Sequence, residues 1–428
     1  MTDTQETEAR PLEGWVLFIT NHFTHLVVEA QTASPRYHLA RKLSERGQKL
    51  LVYSPIGRHV GSPIRDFLTS LRPKRVSNGN TVYLFPPVIV SPSSVTTPIT
   101  LVMGTMFLLA YITLTRTKVV AQYSTTILVA SVGAAVGRLK RIPQVANYGD
   151  PDFARESGLA RRAFKFCENL VMTGRRTYAM VYVDEVVGDY IKENFHVGKT
   201  LFLPNGGYES GFSPPDIASP PVVELRRRLG LGGKLVILYT GQFTPVYRLD
   251  LLVTAAPEIL SRFPNAVFVL VGSGPTHNSL QRSVRDGHLE DFFMMPGAVP
   301  YEALSDYLVL SDVCVQLLND WCMGTKVLMY MVHRRPVVAT GDWYDRYSLF
   351  LRNGRNILMV PPDPNSLKEA LFDLLQSREE RKRIGEAGWA AAQPYTWDRH
   401  AEDTLRLLDA AVKDRDSRKV RSRRGQRT

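Results

Sequence analysis

At 428 residues the chain exceeds one ordinary hydrophobic core, so two or three domains are expected. A hydrophobic fraction of 44% with 22% charged residues excludes a largely disordered chain, and the three scattered cysteines, Cys167, Cys314 and Cys322, exclude a disulfide framework and point to a reducing compartment. The formal charge of +12 biases the chain toward phosphorylated or membrane-surface partners; half of it falls in residues 413–428, where eight Lys or Arg against two Asp leave +6 in a Ser/Arg-rich tail expected to be disordered.

The opening residues are polar and acidic without a basic stretch, so no secretory leader is expected. Residues 15–20 form an apolar run suited to a buried parallel strand. A polar loop follows, and then a helix punctuated by Pro35 at its start and Gly47 at its end. Strands at 50–53 and 81–85 precede an uncharged segment, 91–114. Its apolar part, 99–114, falls short of the ~20 residues a spanning helix needs. Three readings stay open for it: a helix of a soluble domain, a helix dipping into a membrane face with Arg116 and Lys118 near headgroups, or a true span. Strands at 119–122, 143–147, 179–183 and 200–204 then alternate with helices at 126–139, 159–172 and from Asp184 to 194.

Residues 205–233 are rich in Gly and Pro, with a short helix at 222–229, and read as an inter-domain connection. A second series follows: strands at 234–240, 267–271, 292–295, 313–317, 337–340 and 357–360, with helices at 249–262, 301–310, 365–376, 378–392 and 397–412. Between the strands at 313–317 and 337–340, a helix opens near Thr325. Its free backbone N–H groups and positive dipole end suit an anion, and Thr325 and Lys326 stand where a phosphate needs a hydroxyl and a cation. The pattern is α/β throughout: two doubly wound parallel-sheet domains facing each other, with ligands at the C-terminal strand ends. No His, Cys or carboxylate cluster has the spacing of a metal site.

Several motifs carry a family resemblance. Leu203-Pro-Asn-Gly206 with Phe212-Ser-Pro214, Tyr239-Thr-Gly-Gln-Phe243 with Arg248-Leu-Asp-Leu-Leu252, Phe268-Val-Leu-Val-Gly-Ser-Gly-Pro275, Gly297-Ala-Val-Pro-Tyr-Glu-Ala-Leu304 and Tyr395-Thr-Trp397 occur in that order and spacing. Together they resemble the retaining glycosyltransferases of family 4 (glycogen-synthase-like, glycosyl transferases group 1), from Val16 to about Leu408 and most strongly after Pro204. The resemblance implies the GT-B fold, two Rossmann-like domains with a C-terminal helix crossing back. It divides the chain into an acceptor-side domain at 12–205 completed by helix 396–412, a linker at 206–233, a nucleotide-sugar-binding domain at 234–395, and the tail at 413–428.

Two departures stand out. The family has two glutamates eight residues apart in the segment before Pro336-Val337-Val338; here those positions are Trp321 and Met329. The arginine of its first donor motif is Gln242, and its lysine partner is Arg248. What the resemblance implies for the site is Arg248 and Lys326 stabilising a departing diphosphate and Asp150 orienting the acceptor hydroxyl. Gly241, Gln242, Gly272, Gly274, Val299, Asn319, Asp320, Thr325 and Met329 would line the donor, with Asp320 beside the vacated first carboxylate. Arg36 and His22, with His25 nearby, are acceptor-side candidates. For Asp150 a helix cap, and for Arg36 a solvated side chain, stay open, and a lone loop histidine such as His22 or His25 is usually solvated.

The implied function is transfer of a sugar from a nucleotide-sugar to a glycan or lipid-linked acceptor, with retention and without metal or cofactor, in cell-surface polysaccharide or glycoconjugate synthesis. The expected location is cytoplasmic, with peripheral contact to anionic membrane and no nucleic-acid partner. The competing readings are an inactive relative that binds a nucleotide or glycan, motivated by Trp321 and Met329, and a GT-B nucleotide-sugar epimerase.

Overall fold

The computed structural model describes residues 9–20, 35–54, 74–75, 80–84, 96–149, 158–183, 185–318, 325–341 and 350–424. Asp150, Asn319, Asp320, Trp321, His22 and His25 lie outside them. The chain divides into two compact units, Met1–Asn205 with Trp397–Thr428, and Gly206–Thr396.

In the first unit the strands are β1 (Trp15–Ile19), β2 (Lys49–Tyr53), β3 (Lys74–Arg75), β4 (Thr81–Leu84), β5 (Val119–Ser124), β6 (Gln144–Tyr148), β7 (Thr177–Tyr182) and β8 (Thr200–Phe202). They lie in the order β3-β4-β2-β1-β5-β6-β7-β8, parallel except for the short β3 edge. Four of five β1 residues are buried, as a strand covered on both faces requires. One face carries α1 (Pro35–Glu45) and α13 (Trp397–Arg424), through Leu39, Leu43, Ala401, Leu405 and Leu408. The other carries α2 (Thr96–Leu114) and α3 (Ile127–Lys140), through Leu101, Leu108, Ile112, Val129, Val132 and Val136. Beside α3 packs α4 (Gly158–Met172), and α5 (Glu185–Asn194) leads to β8.

The tail expected to be disordered from Lys413 continues α13 as helix through Arg424. Charge pairs explain this: Lys413 reaches Asp409 at 2.6 Å and Arg418 reaches Asp414 at 2.8 Å, both at the (i, i+4) spacing that supports a helix. Arg415 also donates to the Val120 carbonyl, tying the helix to β5. Composition alone does not announce this, because the run reads as a block of like charge until Asp409 and Asp414 are each placed one turn before a base.

The second unit contains α6 (Pro220–Arg228), β9 (Leu235–Thr240), α7 (Asp250–Arg262), β10 (Ala266–Val271), α8 (His277–Asp286), β11 (Phe293–Gly297), α9 (Leu304–Leu310), β12 (Val313–Gln316), α10 (Thr325–Val332), β13 (Val337–Thr340), β14 (Leu358–Val360), α11 (Pro364–Gln376) and α12 (Arg378–Ala392). Its six strands are parallel in the order β11-β10-β9-β12-β13-β14. The segment read as a connection packs as part of this unit, because Val222, Leu225 and Leu231 are buried in its core and a loose linker would leave them in water. Helix α8, absent from the expected elements, is short and polar, with only Leu280 and Val284 buried.

Three buried histidines make stability depend on pH. Burial is the leading cause that lowers His38, His333 and His400 to about 4, with Arg41 and Lys42 adding at His38. These groups are neutral when folded and titrate at ~6.5 when unfolded, so their contribution is complete above that value and is lost as pH falls toward 4. At pH 5 each unprotonated imidazole costs about 2 kcal/mol. Thermal melts between pH 7 and 5 should show a progressive fall of Tm; a flat profile would contradict the burial argument.

Candidate functional site

In the second unit β9 has β10 on one side and β12 on the other, so the strand order reverses there. Such a switch point opens a crevice at the carboxyl ends of the strands. The chain leaves β9 at Gly241, β10 at Gly272 and β11 at Gly297. The turns are laced together: the Gly241 N–H donates to Val271, the Phe243 N–H to Ser273 and the Gly272 N–H to Gly297, each at 2.9 Å. The approach is too close for side chains. A Cβ on Gly272 would lie 1.8 Å from the Gly241 carbonyl oxygen, and one on Gly274 2.3 Å from the Phe243 oxygen.

Lys326 projects from the first turn of α10 toward this floor. Its ammonium lies 3.7 Å from the ring centre of Tyr247 and 4.3 Å from that of Tyr239, and donates to the Tyr239 hydroxyl at 3.2 Å. A Cβ built on Gly241 would stand 2.8 Å from that ammonium. Burial pushes the Tyr239 phenol up, with Tyr330 and Tyr247 adding, so it stays protonated and donates to the Gln242 carbonyl at 2.8 Å. Two aromatic faces and a hydroxyl thus hold a cation at the end of β9, an arrangement worth about 0.5–2 kcal/mol per desolvated cation–π contact.

Helix α10 is pinned one turn further along. The Thr240 N–H donates to the buried Tyr330 hydroxyl at 3.0 Å, which fastens α10 to the last residue of β9. His333 closes the helix: as a neutral imidazole its Nδ1–H donates to the Met329 carbonyl at 2.7 Å, leaving Nε2 to accept from Ser305 at 3.1 Å. Arg248 is anchored by its own N–H to the Leu317 carbonyl at the end of β12. Its guanidinium forks onto Asp250, with contacts of 2.7–3.0 Å, and this carboxylate is the leading cause that pushes Arg248 up.

Gly241, Gln242, Gly272 and Gly274 therefore share one floor, Lys326 lies over it, and Arg248 joins it through β12. Thr325, half-buried, opens α10. Met329 and Val299, both partly buried, pack against the same core cluster. Arg36 is half-buried near the start of α1, in the other unit. Sequence reasoning missed Tyr239, Tyr247, Asp250 and Tyr330. Tyr239 and Tyr330 carried a signal, being hydroxyl-bearing residues within otherwise apolar core segments. Tyr247 and Asp250 carried none that local pattern distinguishes from a loop aromatic and a first-turn acid. Among the described residues no group of three or more His, Cys, Asp or Glu is placed to hold a metal.

Residues 234–377 match the family model of "Glycosyl transferases group 1". The chain is 30% identical over 234 residues to a D-inositol 3-phosphate glycosyltransferase of Kineococcus radiotolerans, covering 51% of this chain and 53% of that protein. It is 28% identical over 222 residues to a GDP-mannose-dependent alpha-(1-6)-phosphatidylinositol monomannoside mannosyltransferase of Mycobacterium tuberculosis, covering 49% and 56%. The chain spans about half the length of these curated relatives. Among solved structures, sucrose-phosphate synthase from Thermosynechococcus elongatus superposes with a TM-score of 0.74 at 18% identity, over 93% of this chain and 100% of that one. Anabaena HepE in complex with UDP-glucose gives 0.67 at 14% identity, over 92% and 100%. These likenesses establish the GT-B fold.

Proposed function

We propose that the protein is a retaining glycosyltransferase of the family 4 type that moves a sugar from a nucleotide-sugar donor to a glycan or lipid-linked acceptor, in cell-surface polysaccharide or glycoconjugate synthesis on the cytoplasmic side of a membrane. The observation that carries the reading is Lys326, held by Tyr239 and Tyr247 over the glycine floor at the switch point, inside the segment that matches the group 1 model.

The chemistry asks the protein mainly to neutralise charge growing on the departing diphosphate. A fixed ammonium, a guanidinium and the first-turn N–H groups of α10 supply this, each well-placed donor contributing a few kcal/mol. Lys326 is preset by its two rings and needs no rearrangement. Arg248, oriented by Asp250, brings a second positive charge to the same floor. In front-side displacement the donor phosphate itself helps to accept the acceptor proton, so the absence of carboxylates at Trp321 and Met329 is compatible with turnover. The transfer is proposed to need neither metal nor cofactor. Asp320 is proposed to hold sugar hydroxyls, Asp150 to orient the acceptor hydroxyl, and Arg36 and His22 to lie on the acceptor side.

The names of the relatives suggest the two donors to try first, UDP-glucose and GDP-mannose. At a hundredfold excess over Kd, a donor that binds only the folded state adds about 2.7 kcal/mol. The second unit's melting point should then rise by roughly 5–10 °C. No shift with any nucleotide-sugar in a wider panel would overturn the reading. Met329, apolar where the family has a carboxylate, favours one second reading: a shift without turnover would identify a binding-only relative.

A further inference from the structure

The outer surface of the first unit carries an apolar, cationic face that the transfer reading does not use. Helix α2 has no charged residue, and both of its sides are apolar. Its inner side buries Leu101, Leu108 and Ile112, and the Tyr53 hydroxyl donates to the Gly104 carbonyl at 2.9 Å, so the helix is fastened to the sheet. Its outer side exposes Val102, Met103, Met106 and Leu114, the last two at 67% and 83%. These positions form one stripe at helical spacing. The stripe continues onto α3, where Leu139 is 66% exposed, and a shallow trough runs between the two helices, lined by Leu109, Ala110, Thr113, Leu114, Leu139 and Lys140. One helix further, on α4, Phe166 is 71% exposed. Isolated apolar side chains on a surface are ordinary, but a contiguous patch rimmed by charge marks an interaction site.

Among the described residues of these three helices and their ends, the exposed charge has one sign. Arg138 and Lys140 on α3, and Arg161, Arg162 and Lys165 on α4, are exposed. Arg116, Lys118 and Arg141 lie exposed at the helix ends. The one acid on the three helices is Glu168, which is buried and accepts from Tyr148 and Tyr190 at 2.7 and 3.1 Å. No acidic side chain on these helices therefore offsets the exposed cations.

We propose that this α2–α3–α4 face is the surface by which the protein docks side-on to an anionic phospholipid bilayer. Met103, Met106, Leu114 and Leu139 enter the headgroup–acyl boundary while Arg116, Lys118, Lys140 and Arg141 meet lipid phosphates. Charge complementarity selects this occupant. A second copy of the same face would set cations against cations, whereas an anionic leaflet attracts each basic residue near its surface by about 1 kcal/mol. The fastening of α2 to the sheet makes this a surface contact: among the described residues no helix is long and apolar enough to cross a membrane. The proposal is independent of the transfer reading, because vesicle binding requires no donor or acceptor.

The test is co-sedimentation of the full chain with vesicles of 30% phosphatidylglycerol in phosphatidylcholine, against pure phosphatidylcholine. We expect at least tenfold stronger partition onto the anionic vesicles, weakening as salt rises. The double variant M106E/L114E should lose at least tenfold in binding with an unchanged Tm, since both side chains are in water. R418E/K419E/R421E on the basic end of α13 should bind as the parent does. Equal binding to both vesicle types, or none, overturns the proposal. So does loss with the α13 variant but not with M106E/L114E, which would assign binding to the basic helix end. Dimerisation abolished by M106E/L114E without vesicle binding would make the face an interface between copies and also overturn it.

Discussion

Replacing Lys326 with Met is expected to lower donor turnover by 10²–10³-fold, the cost of removing one preorganised donor to developing charge. Methionine keeps the aliphatic stem beside Tyr239 and Tyr247 and deletes only the ammonium. The loss should fall in kcat more than in KM, because the diphosphate gains charge as the sugar departs. The fold should tolerate the change: the rings lose cation–π attraction of about 0.5–2 kcal/mol, so Tm falls by no more than a few degrees. Retention of full turnover with a nucleotide-sugar would remove Lys326 from the site while leaving the fold untouched.

The second large effect concerns the floor itself. Gly272 has φ +148°, in the region that L side chains rarely adopt, and its Cβ would meet the Gly241 carbonyl at 1.8 Å. Backbone strain of about 1–3 kcal/mol and overpacking of similar size then add, so Gly272→Ala is expected to cost roughly 3–5 kcal/mol. That corresponds to a fall of about 10 °C in the melting of the second unit. Gly297 is the control. It also has positive φ, +85°, but nothing lies within 4 Å of its Cβ position. Gly297→Ala should therefore cost only about 1 kcal/mol. Equal Tm values for the two variants would show that close approach is not what requires glycine at Gly272.

The site divides along the same physical line. Gly272-Ser-Gly274 was legible because a strand ending in glycines is a local pattern, and Lys326 because it follows Thr325 at a helix start. Tyr239 and Tyr247 were not, since their role depends on a side chain 87 residues from Tyr239 arriving over their rings. Asp250 looked like a first-turn helix acid, which it is; that it also holds Arg248 needs side-chain directions that spacing does not provide. The helix through Arg424 was missed for a related reason: composition weighs charge, whereas Asp409 and Asp414 act by their position on the helix surface.

The sequence by itself determined the alternation of strands and helices, the glycine turns at the strand ends and the cation at the start of α10. These are properties of short segments, set by hydrophobic period, backbone freedom and helix-end chemistry. Only the tertiary structure decided which strand ends adjoin, and so which aromatic rings Lys326 meets. It alone also decided that α2, apolar on every side, buries Leu108 and leaves Met106 and Leu114 in water. A helix with no polar side carries no amphipathic signal to orient it, so only packing against the sheet selects the face that remains exposed.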